Sequence, residues 1–362
     1  MSTSIIVSMR STYSCIKYLR CSFFSTQIEQ PASKVTGKVV NVAIIGAPNS
    51  GKSTLINKIM ERKICAASNK VHTTTKLARA ICYERDTQII FLDTPGVVSD
   101  KEQKKYKLPL SMLGACEKSL RCANVVGVVH DVSNKWMRDS IHQDVINMLN
   151  SVEKIPSFLI LNKVDQLKSK KQLLATIRNV TNGVIAGRPM PKSDRSQAFK
   201  NKLQRGYSHF SDVFLVSALT GDGVGAIKEY LISNAKVANL PYSPDYWTDQ
   251  TPEALIEETV RAKFLDFLPQ EIPYNLKTCI EYYDELEADE KVVCSVVVEC
   301  PSERIARLIN GAGGGRLQQI KSYTRNDLMD LFKKTVDLDL QLKVKNKTID
   351  DIQNEKKLYR QK

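Results

Sequence analysis

Apolar residues fall along this chain in two rhythms. In the first two thirds, mostly apolar runs of strand length recur at residues 39–45, 88–92, 124–129, 157–161 and 212–216. Continuous rather than alternating apolarity marks strands buried on both faces. Helical stretches lie between them, the first from Leu55 to Met60, so the pattern predicts a mostly parallel sheet with helices on both faces. After residue 252 the order changes. Residues 253–268 read as an amphipathic helix with Leu255, Val260, Phe264 and Phe267 on its apolar side. Strands follow over 276–283 and 291–299, then a helix from Ser302, a second helix to about Lys333, and a last strand over 336–344. That last strand alternates cleanly, as a half-buried strand does. Between the two regions, residues 240–252 carry three prolines and no periodicity, which reads as a linker.

Composition changes this picture at the ends and in one insertion. The chain has 362 residues and a formal net charge of +14, which points to a polyanionic partner. Most of that charge is local. Residues 1–28 hold Arg10, Lys17 and Arg20 and no acid, with abundant Ser and Thr, the composition of a mitochondrial transit peptide. Residues 166–210 carry ten Lys/Arg against Asp194 alone. This stretch is either a solvated loop or a contact to RNA phosphates. Nine cysteines without C-x-x-C pairs argue for reduced thiols. No apolar run approaches the ~18 residues of a membrane span. The expected organisation is a leader over 1–28, a nucleotide domain over 39–237 with its insertion at 166–210, a linker over 238–252, a second domain over 253–345 and a basic tail over 346–362.

The chemistry sits at the ends of the buried runs. After the first comes Gly46, Ala47, Pro48, Asn49, Ser50, Gly51, Lys52, Ser53 and Thr54, matching G-x-x-x-x-G-K-[ST] in the required strand–turn–helix setting. Its glycines let successive N–H groups curl around phosphate oxygens at a helix N-terminus. Lys52 is placed for the β- and γ-phosphates and Ser53 for Mg²⁺. The run at 88–92 ends in Asp93, Thr94, Pro95 and Gly96. That aspartate can hold a metal-bound water, and the Gly96 N–H can sense a γ-phosphate. Upstream, Thr73, Thr74 and Thr75 form a polar segment suited to a switch or, equally, to an edge strand. The run at 157–161 leads into Asn162, Lys163, Val164 and Asp165. One carboxylate accepts both N1–H and the 2-amino group of guanine, whereas adenine offers an acceptor at N1 and no 2-amino group. Leaving such a buried pair unmatched costs about 1–3 kcal/mol per group. Asn162 and Lys163 support the loop and stack over the base. The run at 212–216 ends in Ser217, Ala218 and Leu219, with the Ala218 N–H a candidate for guanine O6. These signals select GTP. Val97 stands where Ras-like enzymes carry the glutamine that orients attacking water. Asn49 suggests a substitute, a carboxamide helping to hold K⁺ beside the phosphates.

In the second region, helix–strand–strand–helix–helix–strand with Gly311, Ala312, Gly313 and Gly314 between adjacent helices is the order of a KH-type RNA-binding domain. Residues 251–362 hold 18 Lys/Arg and 20 Asp/Glu, so this half is not basic as a whole. Arg304, Arg307, Arg316, Lys321 and Arg325 nonetheless span the glycines and their flanking helices without an acid among them, and predict one binding face.

Taken together, the P-loop, Asp93 to Gly96, Asn162 to Asp165, residues 268–274 (Leu-Pro-Gln-Glu-Ile-Pro-Tyr) and Gly311 to Gly314 resemble the Era-like GTPases, specifically their mitochondrial branch. The resemblance covers residues 39–345. It implies a GTP-controlled RNA chaperone of the mitochondrial matrix that binds the 3′ region of small-subunit ribosomal RNA and assists assembly of that subunit. Matching the switch places the metal-ligand threonine at Thr74, or else Thr73. The expected set is then catalysis by Lys52, Asn49 and Thr74, Mg²⁺ held through Ser53, Thr74 and Asp93, and RNA contact through residues around Gly311 to Gly314; a single KH-like unit is compatible with a monomer. Gly313 departs from the pattern, because relatives usually carry a lysine there. Two other readings remain: a GTP-regulated switch whose second domain docks a protein or a membrane partner, and a metabolic P-loop kinase, against which Asn162 to Asp165 argues.

Overall fold

In a computed structural model the described residues are 36–68, 78–94, 117, 119–167, 172–191, 206–269, 271–286 and 289–344. The expected leader and tail lie outside them, as does the middle of the basic insertion.

Strand β1 (Thr36–Ile45) starts three residues before its apolar run. The early start has a pairing cause: its first four residues lie antiparallel to β9 (Lys236–Asn239). Farther along, β1 pairs in parallel with β3 (Thr87–Asp93) and β4 (Val125–Asp131). β2 (Ala78–Glu84) adds antiparallel to β3, and β5 (Ser157–Asn162) and β8 (Phe210–Leu215) extend the sheet in parallel beyond β4. The order is β2-β3-β1-β4-β5-β8, with β9 against the base of β1.

Both faces are covered, as the continuous apolar runs require. Helix α1 (Lys52–Met60) and α4 (Val224–Ser233) bury Leu55, Ile56, Ile59, Val224, Ile227 and Leu231 on one face. On the other, α2 (Gln143–Ser151) and α3 (Leu173–Val180) bury Val145, Leu149, Leu173, Ile177 and Val180. Within the insertion, a hairpin of β6 (Val184–Ile185) and β7 (Arg188–Pro189) turns through Ala186 and Gly187 at positive φ. The Ala186 N–H donates to Phe210 O at 2.8 Å, tying the hairpin to β8.

The C-terminal half starts with α5 (Pro252–Phe267), whose N-cap Thr251 accepts from the Ala254 N–H with proline at the first helical position. Antiparallel β10 (Lys277–Leu286) and β11 (Lys291–Cys300) and the parallel β12 (Thr335–Val344) form its mixed sheet. Val336, Leu338 and Leu340 face inward and Asp337, Asp339 and Gln341 outward. Helices α6 (Glu303–Asn310) and α7 (Gly315–Phe332) cover the inner face, α7 burying Ile320, Thr324, Leu328 and Leu331. That is the α-β-β-α-α-β order of the KH fold.

The halves share one apolar core. The Arg62 guanidinium lies 4.7 Å over the Trp247 ring and donates to Leu331 O, at the C-terminal end of α7, at 3.2 Å. Lys63 meets Asp327 of α7 at 2.5 Å, and Lys263 of α5 grips its other oxygen at 2.6 Å. The proline-bearing segment after β9 is laid along β2: the Ile81 N–H donates to Trp247 O at 2.9 Å and Arg79 pairs with Asp249. Among the described residues, no helix is long and apolar enough to cross a membrane.

Candidate nucleotide-binding site

Three loops meet where β1, β5 and β8 end. The first, residues 46–51, curls because Gly46 (φ 154°) and Gly51 (φ 96°) take conformations closed to side chains. A Cβ on Gly46 would strike Val129 O, and one on Gly51 the Asn162 carboxamide. Asn49 sits in the left-handed region at φ 59°. Pro48 lies on the loop beside it. Lys52, a residue only 7% exposed, points its Nζ into the loop, where it donates to Gly46 O at 3.2 Å and Ala47 O at 3.0 Å. Ser50 Oγ is buried and has no hydrogen-bond partner among the described residues, an orphaned polar atom where a ligand is expected. Ser53 Oγ lies 3.2 Å from Asp93 Oδ2, and Thr54 continues α1.

Asp93 is 1% exposed at the end of β3. Thr94 Oγ1 donates to Ile44 O at 2.7 Å, pinning β3 to β1 rather than facing the loop. Thr73, Thr74, Pro95 and Gly96 lie outside the described residues. Asn57 of α1 clasps Cys65 by both backbone groups, Nδ2 to Cys65 O at 2.7 Å and Cys65 N to Oδ1 at 2.8 Å. Burial, then the nearby Asp93 charge and a hydrogen bond to it, push the Cys65 thiol well up, which keeps it a neutral donor.

Asn162 ties the three loops together. Fully buried, it donates from Nδ2 to Ser50 O at 2.8 Å and accepts at Oδ1 from the Ala218 N–H at 2.9 Å. The Ala218 N–H, which the sequence assigns to guanine O6, is thus given to Asn162 here. Lys163, in the left-handed region at φ 66°, sends Nζ back to Asn49 O at 2.8 Å and to Asp131 Oδ2 at 2.6 Å. Asp165 lies exposed in the short turn after β5. Ser217 is buried and its Oγ accepts from the Thr220 N–H at 3.2 Å, shaping the third loop, while Leu219 is 73% exposed beyond it. Sequence reasoning misses Asp131. Its only signal is an acid ending a buried run, in register beside Asn162.

Between α6 and α7, Gly311, Gly313 and Gly314 have φ of 72°, 59° and 78°. Gly313 faces open space, and a Cβ on Gly311 would come within 2.9 Å of Arg316 Cβ. Ala312 is exposed between them. The cations divide. Arg304 and Arg316 are exposed beside the corner, with Arg316 Nη1 donating to Leu308 O at 2.9 Å. Arg307 pairs with Glu303 at 2.6 Å one turn back. Lys321 and Arg325 are directed to β12, onto Asp339 at 3.5 Å and Val336 O at 2.9 Å.

A phosphate loop, a metal-type Ser/Asp pair and an Asn-Lys-x-Asp turn at the ends of a parallel sheet, followed by a KH-type half, define a P-loop GTPase with an appended second domain. A family model described as "50S ribosome-binding GTPase" matches residues 41–163. Mitochondrial GTPase Era of Salmo salar is 35% identical over 89% of this chain and 80% of that protein. GTPase Era of Rickettsia bellii is 33% identical over 86% of this chain and 95% of that protein. A crystal structure of Era in complex with MgGDPNP and nucleotides 1506–1542 of 16S ribosomal RNA superposes with a TM-score of 0.68 at 25% identity, covering 85% of this chain and 94% of that one. The chain belongs to the Era GTPase family and is a GTP-hydrolysing enzyme.

Proposed function

We propose that this protein is a guanine-nucleotide-controlled RNA chaperone acting on the 3′ region of mitochondrial small-subunit rRNA during assembly of that subunit, in the mitochondrial matrix. The observation that carries it is Asn162, which joins the phosphate loop, the guanine-reading turn and the third loop in one hydrogen-bonded unit. That unit supports GTP binding by Gly46 to Thr54, Asp93 to Gly96, Asn162, Lys163, Asp165 and Ser217 to Leu219. The Salmo salar relative is named as mitochondrial, and the superposed Era was crystallised with nucleotides 1506–1542 of 16S ribosomal RNA. Both support the reading, as does the acid-free leader composition.

Mg²⁺ fits the hard oxygen donors Ser53 and Asp93, already 3.2 Å apart, with Thr74 as a third. Bound there, it would neutralise charge on the β- and γ-phosphate oxygens. The chain's own residues supply the rest. Lys52 sits over the loop to meet charge on the transferred phosphoryl group, and the loop N–H groups orient it for attack by water on the γ-phosphorus. No protein nucleophile is required. Asn49 is the candidate aid to K⁺, which makes turnover faster in K⁺ than in Na⁺. On the RNA side, the open Gly313 lets a backbone approach closely with Arg304 and Arg316 exposed beside it, while Arg307 and Lys321 would have to leave Glu303 and Asp339 to join them.

Crosslinking in organello, with sequencing, tests the whole reading. Crosslinks from residues 304–325 to the 3′ end of small-subunit rRNA are expected. None above background, with GTP binding intact, would transfer the second domain to a protein partner. Calorimetry showing ATP preferred over GTP would end the guanine assignment. Equal rates in Na⁺ and K⁺, or full activity of Asn49→Ala, would remove the K⁺ role.

A further inference from the structure

Asp131 is the C-terminal residue of β4 and lies in register with Asn162 on β5. Both of its oxygens are used. Oδ1 accepts from the Ser133 N–H at 2.8 Å and from Ser133 Oγ at 2.6 Å, which fixes the rotation of the carboxylate. Oδ2 then faces Lys163 Nζ at 2.6 Å. The Val132 N–H donates to Asn162 O at 3.1 Å, so the two strand ends that carry the pair are themselves tied. Asp131 and Lys163 side chains are only 23% and 26% exposed, which limits screening of their attraction. Burial pushes the Asp131 carboxyl up, but the Lys163 ammonium and the Ser133 donors outweigh it and hold the group below the usual carboxylate range.

A lysine has a long flexible stem and one point charge, so by itself it holds no single path. Here the ammonium is pinned at two points, Asp131 Oδ2 on the end of β4 and Asn49 O on the phosphate loop. We infer that Asp131 is a positioning residue for guanine nucleotide retention: by anchoring the Lys163 ammonium to the end of β4 and to the phosphate loop, it lays the lysine stem as a preformed wall along the purine face. This rests on the guanine-site reading above. Because the wall touches the ring face, its effect is indifferent to the 2-amino group that Asp165 would read.

The experiment is stopped-flow release of fluorescently labelled GDP and IDP from the full chain, with GTP turnover measured in parallel. Asp131→Asn, which keeps the shape and loses the charge, should raise the release rate about tenfold, the scale of one charge-assisted hydrogen bond, and equally for GDP and IDP. The rise in release should exceed any fall in kcat at saturating GTP by fivefold or more. Asp131→Glu should recover part of the loss. In a Lys163→Met background, which keeps the stem without the ammonium, Asp131→Asn should add less than twofold. Should Asp131→Asn fail to fold, Ser133→Ala loosens the same carboxylate and should speed release two- to threefold. Additive effects of Asp131→Asn and Lys163→Met, or unequal effects on GDP and IDP, overturn the inference. A wild-type chain that does not bind GDP overturns the site reading with it, whereas tight wild-type binding matched by Asp131→Asn overturns this inference alone.

Discussion

Replacing Asn162 by alanine should weaken the nucleotide-free protein by about 2–4 kcal/mol. The side chain is 1% exposed and makes two hydrogen bonds, to Ser50 O at 2.8 Å and from the Ala218 N–H at 2.9 Å. Truncation leaves one buried acceptor and one buried donor without their partner, at about 1–3 kcal/mol each. A water entering the vacated space would restore part of that, which sets the range below the full sum. Asn162→Asp sharpens the test. An aspartate keeps an acceptor for the Ala218 N–H but turns a second oxygen toward Ser50 O. Ionised, it is a buried charge facing a carbonyl; protonated, it can donate as the amide did. Its carboxyl is therefore raised above the usual value, and its penalty should exceed that of alanine at pH 7.5 and shrink as the pH falls toward 5. Urea unfolding of the nucleotide-free chain, followed by far-ultraviolet circular dichroism and tryptophan fluorescence with coincident transitions required, gives both numbers. A loss under about 1 kcal/mol for Asn162→Ala, or an Asn162→Asp chain steadier than the alanine one at pH 7.5, would refute the claim that this residue joins the loops.

Three further outcomes follow from the geometry. Gly51→Ala, forced to φ 96° with its methyl against the Asn162 carboxamide, should cost at least tenfold in GDP affinity by calorimetry while the C-terminal half keeps its melting transition. His130 is buried and its Nε2–H donates to Arg138 O at 2.8 Å, and burial holds its imidazole below the ordinary value. The unfolded chain takes up a proton there that the folded chain resists, so stability is fully present above about pH 6.5 and falls as pH drops toward the folded value. Thermal melts at pH 7.5 and 5.5 should differ by about 1 kcal/mol more in wild type than in His130→Gln. Finally, Asp327 is 16% exposed between Lys263, 15% exposed, and Lys63, 50% exposed. Double-mutant cycles with alanine should assign about 1.5 kcal/mol to the Lys263 arm and about 0.5 kcal/mol to the Lys63 arm; the reverse order would count against burial as the cause.

The centre of the sheet was legible because strands buried on both faces, β3, β4 and β5, leave mostly apolar runs, and the phosphate loop and guanine turn because each is contiguous in sequence. Strand ends were less so. Thr36 to Lys38 and Lys236 to Asn239 carry little apolar signal and form strands through pairing with each other. Charge was legible as a count but not as a partner list. Arg307, Lys321 and Arg325 stand in an acid-free stretch, yet Glu303, Asp339 and Val336 O take up their donors from outside it. Asp131 and the Asn57–Cys65 clasp escaped for the same reason: each is defined by a tertiary neighbour, and nothing in the local sequence names that neighbour.

Helix α7 has one end at Gly314 and the other at Lys333, with Arg62 and Lys63 seated on its last turns. Its 18 residues make a rod of about 27 Å. A rod of this kind has a thread as well as a length: one residue more or less advances its far end by about 1.5 Å and rotates it by about 100°. An insertion within α7 would therefore swing the glycine corner round the molecule while the Arg62 seat stayed put, whereas a change in the tail beyond β12 would leave both ends in phase.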